Sequence, residues 1–274
     1  MAFITAIVGG YEARCPEFAK QTIAADFICF TDSTSAENSK NGWIVDNYSY
    51  HLDEGITTAA ASGDYSDAAI NSLRNNNHSF NVAKFYKSNF YLFPCLSQYE
   101  TIIWIEGTIS IKNKNTARII TQLVESGEHL ILFEKTHTSM AMEVQLSHTP
   151  GFSRYTGTFW FDQRQPAQDI VSQYELYLQL GYDESKWKSS RAERPYYGMW
   201  VTCFVVFHIK SPKILDFLKL WYRNLKHIST QDQVSFPFVS QQLDIYPHSL
   251  PDDKITGNFR INSLYSKNAV HSFK

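Results

Sequence analysis

The residues able to do chemistry in this chain are a few charged side chains placed at the ends of apolar runs. Glu106 closes the run 101–105 (Thr-Ile-Ile-Trp-Ile) and is followed by Gly107, after which apolar alternation resumes at Ile109 and Ile111. A carboxylate at the end of a buried strand is costly unless a metal ion, a cation or a hydrogen-bond donor meets it. The carboxyl ends of strands are also where open α/β sheets seat their ligands. Asp232 lies between Gln231 and Gln233, behind the capping pair Ser229-Thr230, at the predicted start of a helix. The helix dipole alone accounts for a carboxylate there, by about 0.3–1 kcal/mol. Its functional alternative is a base or positioning group for an incoming hydroxyl, which requires it to face a cleft. Lys84 and Lys87 lie three apart on one predicted helical face. They could serve as point charges for phosphate, or at least one of them could simply be solvated.

Two further strand ends carry candidates. Gly9-Gly10 follows the first apolar run. It could let backbone approach a pyrophosphate or be a tight turn without a ligand. Thr31-Asp32 closes the second run, where an Asp can accept hydrogen bonds from ribose hydroxyls or a base, or cap the following turn. His129, His137 and His148 lack the spacing of a zinc signature. They read as loop or surface residues, with His137 the best functional candidate because Glu143 follows shortly. Trp104, Gln231 and Gln233 complete the candidate substrate-binding set.

Other chemistries find no support. There is no G-x-S-x-G, no G-x-G-x-x-G and no P-loop. Cys15, Cys29, Cys95 and Cys203 form no C-x-x-C pair, which suits a reducing compartment rather than a disulfide scaffold. A net charge of -2 gives no electrostatic case for nucleic acid. At 43% hydrophobic residues a substantial core can form. The 15% aromatic content suits a core or a sugar-binding cleft equally. Residues 1–8 lack the basic n-region of a signal peptide, and no apolar run approaches the ~20 residues of a membrane span. The expectation is a cytoplasmic protein, with peripheral membrane contact left open.

The elements that must position these residues are readable from periodicity. Apolar runs predict strands over 3–8, 26–30, 42–45, 101–105, 129–133 and 199–209. Helical spacing predicts helices over 80–87, 115–126, 165–180 and 212–227, with Gly127 and Gly181 as C-terminal stops. About two helical turns are expected within 16–24, and a helix around 65–74. A short or kinked helix is expected after Thr230, because Pro237 falls inside it. Residues 134–164 read as irregular, 53–79 as an insertion or flap, and 245–274 as a turn-rich tail. With no repeats or linkers, the chain reads as one α/β domain over 1–274.

Six of these segments stand in the order of a known family. They are 5–11 (Thr-Ala-Ile-Val-Gly-Gly-Tyr), 29–32 (Cys-Phe-Thr-Asp), 83–87 (Ala-Lys-Phe-Tyr-Lys), 103–109 (Ile-Trp-Ile-Glu-Gly-Thr-Ile), 173–175 (Gln-Tyr-Glu) with Gly181, and 231–236 (Gln-Asp-Gln-Val-Ser-Phe). Through them the chain resembles the TOD1/MUCI70-type glycosyltransferase-like family, once catalogued as a domain of unknown function. The resemblance implies a Rossmann-like GT-A fold, a mixed, mostly parallel sheet with helices on both faces. It also implies transfer of a sugar from a nucleoside-diphosphate donor, most simply a UDP-sugar, to a hydroxyl of a glycan in polysaccharide or lipopolysaccharide biosynthesis. Thr31 and Asp32 would contact the nucleoside, and Lys84 or Lys87 the diphosphate. Glu106 would be the leading carboxylate of a Mn²⁺ or Mg²⁺ site, and Asp232 would lie on the acceptor side.

The chain departs from the family pattern at several positions. Glu106 replaces an Asp, and Thr108 stands where many such enzymes have a second Asp. Asn89-Phe90 replaces Pro-His, and His208 replaces an Arg. The implied metal ligands are therefore one carboxylate and a hydroxyl. Two alternatives follow: a non-catalytic nucleotide- or carbohydrate-binding domain derived from a transferase, and, more remotely, a sugar-phosphate nucleotidyltransferase.

Overall fold

The computed structural model of the chain describes residues 1–8, 14–31, 42–46, 79–135, 138–147, 170–189, 198–228, 231–250 and 261–262. Gly9, Gly10, Asp32, His137, the expected helix 65–74 and nearly all of the expected insertion 53–79 lie outside the described residues.

The strands form where apolar residues run continuously. β1 (Ala2–Ile7), β2 (Asp26–Thr31), β3 (Ile44–Asp46), β4 (Thr101–Ile105), β6 (Leu130–Glu134), β7 (Trp200–His208) and β8 (His248–Leu250) make one sheet, while β5 (Ser110–Ile111) pairs with β9 (Ile261–Asn262). The large sheet has the order β3-β2-β1-β4-β7-β6-β8. Its pairs are parallel except on both sides of β7, which runs against β4 and β6. All residues of β1 and β4 are buried, as expected of strands covered on both faces.

The two-residue period of the strands divides the core in two. Ile4, Phe30, Ile102, Trp104, Val205 and Phe207 face one side. There they meet α1 (Ser79–Asn89), α4 (Ile170–Gln179), α6 (Pro212–His227) and α7 (Asp232–Gln242). Phe3, Phe27, Ile103, Ile105, Phe204 and Val206 face the other side, against Ala117 and Ile120 of α2 (Thr116–Glu125). The mixed, mostly parallel sheet with helices on both faces is thus as the sequence predicts.

α6 shows why. Pro212 presets its first turn, Lys226 and His227 occupy its last turn, where cations suit the dipole, and Ile214, Phe217, Leu218, Trp221 and Leu225 are buried at helical spacing. Burying such side chains stabilises by about 1.5–3 kcal/mol each. α2 and α4 end as Schellman motifs on Gly127 (φ 102°) and Gly181 (φ 89°). Glu128 N–H donates to Leu123 O at 3.0 Å and Tyr182 N–H to Tyr177 O at 2.8 Å, closing each motif.

Four expectations need correction. Residues 16–24 form no helix: their backbone is spent on the β5 segment, with Ala19 N–H donating to Ile111 O (2.7 Å), Ile111 N–H to Glu17 O (3.1 Å) and Thr22 N–H to Lys114 O (2.9 Å). Within 134–164, taken as irregular, lies α3 (Met140–Ser147). Its N-terminus is capped by Ser139, whose Oγ accepts the Met142 N–H at 3.2 Å. α7 runs eleven residues through Pro237, because Val234, Phe236, Phe238 and Val239 on both sides of the proline are buried. The region taken as a tail supplies the edge strand β8, too short to show a period of its own. α5 (Ser185–Ser189) completes the helices among the described residues, none of which is long and apolar enough to cross a membrane.

Candidate active site

The topology creates a reversal point in the large sheet. From β1 the chain steps outward to β2 and β3, then returns across α1 to β4 on the opposite side of β1. The strand order therefore reverses between β1 and β4, and open α/β sheets bind ligands beyond the carboxyl ends of strands at such a point. Glu106 sits there, one residue past β4. Its N–H continues the ladder by donating to Cys203 O (2.9 Å), and its carbonyl accepts the Ile109 N–H (2.8 Å), closing a tight turn through Gly107 and Thr108.

Beneath Glu106 lies a buried ionic cluster built by three elements. α1 presents Lys84 and Lys87 from one face, and the first turn of α7 presents Asp232. Lys84 Nζ is 2.9 Å from Asp232 Oδ2, and Lys87 Nζ hydrogen-bonds the same oxygen. Lys87 Nζ is also 3.7 Å from Glu106 Oε1. Side-chain exposure falls from 40% at Glu106 to 10% at Lys84, 5% at Asp232 and none at Lys87. Lys87 Nζ stands 5.6 Å from the ring centre of Trp104 and 5.4 Å from that of Trp221, so indole faces supply part of the solvation it has lost.

α7 is fixed in turn by Trp221. Its Nε1–H lies 3.3 Å from Asp232 O and 2.9 Å from Ser235 Oγ, and the Ser235 hydroxyl donates to Asp232 O at 3.1 Å. Gln173 of α4 donates to Gln231 O (3.4 Å) and to the Tyr177 hydroxyl (3.0 Å). Gln231 and Gln233 are half-buried at the start of α7.

Burial works to raise the Asp232 carboxyl, but the ammonium groups of Lys84 and Lys87 overcome it and hold the group well below the usual carboxylate range. For Lys84 burial works the opposite way, and the carboxylates of Asp232 and Glu106 keep it charged and raised. The Cys203 thiol is pushed well up by burial and then by Glu106, so it stands in the cluster as a neutral thiol.

The structure brings Lys84, Lys87, Trp104, Glu106 and Asp232 together. Thr31 is buried at the carboxyl end of β2, in register with Ile7 of β1. Two expectations change here. Neither lysine lies on a solvated helix face, since both are buried against Asp232. Asp232 does not face an open cleft, since the lysines enclose it. Sequence reasoning missed Trp221 and Cys203. Trp221 was readable only as one more residue of the apolar face of α6.

The donor set does not by itself fit a hard divalent cation. Such ions want several oxygen ligands. Among the described residues no group of three or more His, Cys, Asp or Glu could hold a metal. Glu106 stands alone at the strand end, with the Lys87 cation beside it.

No protein family model matches the sequence, and no curated protein matches it. Solved structures match in shape at low identity. The mannosyltransferase Ktr4p from S. cerevisiae is 14% identical, with a TM-score of 0.39, over 80% of this chain and 57% of that one. Mouse xyloside xylosyltransferase 1 is 10% identical, with a TM-score of 0.46, over 91% and 83%. Core-mannan synthase A from Aspergillus fumigatus, in its Mn/GDP form, is 11% identical, with a TM-score of 0.40, over 81% and 61%. The chain thus spans less than two thirds of the two fungal proteins. These are likenesses of shape, and they leave function to be argued from the residues.

Proposed function

We propose that this chain is a GT-A-like glycosyltransferase, related to the TOD1/MUCI70-type family, that moves a sugar from a nucleoside-diphosphate donor to a hydroxyl of a glycan. One observation carries the reading. At the reversal point between β1 and β4, the half-exposed carboxylate of Glu106 is set above a wholly buried ammonium, Lys87. Holding a wholly buried ammonium is costly, and its place at the reversal point is what supports a functional reading over ordinary core.

In the reaction a bond forms between the acceptor oxygen and the anomeric carbon. The bond from that carbon to the diphosphate oxygen breaks, and the nucleoside diphosphate leaves with the electron pair. With inversion, the acceptor proton passes to a carboxylate, and Glu106 is the exposed one. With retention, the proton goes to the departing phosphate and Glu106 orients the sugar. Asp232, held ionised by two lysines, is the weaker proton acceptor of the two and serves as their counter-ion. Gln231 and Gln233, half-buried at the start of α7, are the candidate acceptor contacts, whereas Trp104 is buried against Lys87 and supports the pair from beneath. A second reading, a non-catalytic nucleotide- or carbohydrate-binding domain, is favoured by the lone carboxylate at the strand end.

The test is a thermal-shift and donor-hydrolysis panel with UDP, GDP, UDP-glucose, UDP-N-acetylglucosamine and GDP-mannose, each with and without Mn²⁺. A ligand at a hundred times its dissociation constant stabilises by about 2.7 kcal/mol. Glu106→Ala should lower turnover at least ~100-fold while leaving the melting temperature nearly unchanged, because the side chain is half exposed. Binding without turnover, indifferent to Glu106→Ala, establishes the non-catalytic reading instead. Turnover that requires Mn²⁺ would show that ligands besides Glu106 complete a metal site.

A further inference from the structure

We infer that Lys87 is a positioning residue that acts through Glu106 and Asp232 and does not itself bind the donor. The inference deepens the glycosyltransferase reading, and rests on it in taking Glu106 as the reacting carboxylate.

Three observations lead to it. First, Lys87 has no exposed side-chain surface, so an entering diphosphate cannot reach its ammonium group. To meet a phosphate it would have to leave both Asp232 and the two indole faces. Lys84, also bound to Asp232, is the more open of the two lysines. Second, Lys87 meets two carboxylates from different elements. Two buried ammonium groups share one buried carboxylate oxygen, Asp232 Oδ2. Lys87 Nζ in addition lies within ion-pair distance of Glu106 Oε1. Third, the Lys87–Glu106 separation of 3.7 Å is an ion pair but longer than a hydrogen bond. Glu106 is half exposed and lies in a turn, while Lys87 is fixed by α1, Asp232 and the tryptophans. The buried charge is therefore the fixed point and the carboxylate the part it orients.

The geometry thus gives three of the groups separate work. Asp232 neutralises and locks the lysines. Lys87 tethers the Glu106 turn to α1 and α7. Glu106 alone meets substrate. An ammonium has three donors on a compact centre, which suits Lys87 to holding two carboxylates from different elements.

The experiment compares wild type, Lys87→Met, Lys87→Arg, Glu106→Gln and the double variant Lys87→Met/Glu106→Gln. Turnover uses whichever nucleotide sugar of the panel the wild type consumes. Lys87→Met should lower kcat ~100-fold with the donor KM within about threefold, and Lys87→Arg should recover about a tenth or more of the lost rate. In the Glu106→Gln background, Lys87→Met should cost less than about threefold more, the non-additivity of residues acting as a unit. Amide hydrogen exchange needs no substrate. The Ile109 amide, which closes the Glu106 turn, should exchange at least ~10-fold faster in Lys87→Met, with Ile103 and Ile105 of β4 unchanged.

A large rise in donor KM with kcat preserved makes Lys87 a donor contact and overturns the inference, as do additive losses in the double variant. If Lys87→Met does not fold, Glu106→Gln still decides, since it keeps the buried cluster. Its Ile109 amide must loosen, and an unchanged rate refutes the tether. If the wild type consumes no donor while Ile109 responds as stated, the glycosyltransferase reading fails and the positioning role stands.

Discussion

The two ends of the strand pair β4–β7 use similar residue types to opposite purpose. At the carboxyl end of β4, Lys84, Lys87 and Asp232 are buried and share one oxygen, with Glu106 above them. At the other end, Lys210 pairs with Glu100 where both side chains are mostly exposed. His208 stacks on His129 with ring centres 5.4 Å apart, and the Tyr99 hydroxyl donates to Asp26 Oδ2 at 2.5 Å. Burial and Asp26 push the Tyr99 hydroxyl up to about 12, so it stays protonated and merely fastens β2 to the start of β4. Water screens the charges at this end. The buried charges of Lys84, Lys87 and Asp232 at the other end are screened far less. One end is an exposed ion pair at the rim of the sheet, and the other holds its charges in the core at the proposed site.

The largest break in that contrast comes from Asp232→Ala. It strands two buried ammonium groups, and removing one partner of a buried pair costs about 3–5 kcal/mol. Urea unfolding should show a loss of that size. Replacing Lys84 and Lys87 by Met and Asp232 by Leu together should recover most of the stability and none of the turnover, since apolar groups of similar volume often replace a buried ionic cluster without loss. A triple variant as unstable as Asp232→Ala would mean that the cluster is there to hold the fold.

Acid and base should then read the two sides of the buried Asp232–Lys84 pair separately. The folded Asp232 carboxyl lies below its unfolded value. Its contribution is complete above that unfolded value, roughly pH 3.9, and disappears as pH falls through the folded one. The stability gap between wild type and Asp232→Asn should therefore stay constant from pH 7 to about 5 and shrink only below about 4. Lys84 is raised in the fold. Its contribution is complete below its unfolded value of roughly 10.4 and is lost as pH climbs through the folded one. Urea midpoints across both limbs check both signs. A gap that closes near pH 6 would mean that Asp232 is free to take protons, restoring it as a candidate base.

The legible part of this molecule is the part governed by period and by end signals. β4, β7, α2 and α6 each follow from apolar spacing closed by Gly, Pro or a carboxylate, and Glu106 was readable as the odd residue at a strand end. What escaped is set by distant partners. Residues 16–24 have helix-compatible composition, but their amides are taken by Ile111 and Lys114. Lys84 and Lys87 look solvated in one dimension, because Asp232, which makes their burial tolerable, lies 145 residues from Lys87 along the chain. Pro237 signals a break only where packing does not override it. Lys84, Lys87, Trp104, Glu106 and Asp232 could be picked out one by one, Trp221 and Cys203 could not, and the connection of all of them into a single cluster required the fold.

The smallest effect belongs to the exposed end. Lys210 lowers the Glu100 carboxyl through a hydrogen bond, yet both side chains keep most of their contact with water. Exposed pairs of this kind contribute little, because solvent replaces each partner and salt screens what remains. Lys210→Ala should leave the urea midpoint and donor turnover indistinguishable from wild type, at low salt and at physiological salt alike. It is a demanding control, because Lys210 follows β7 and immediately precedes the N-cap Ser211 of α6, the helix that carries Trp221 against Lys87. If turnover fell with the midpoint unchanged, the two ends of the strand pair would be coupled through α6. The division between a screened, structural end and a buried, functional one would then have to be abandoned.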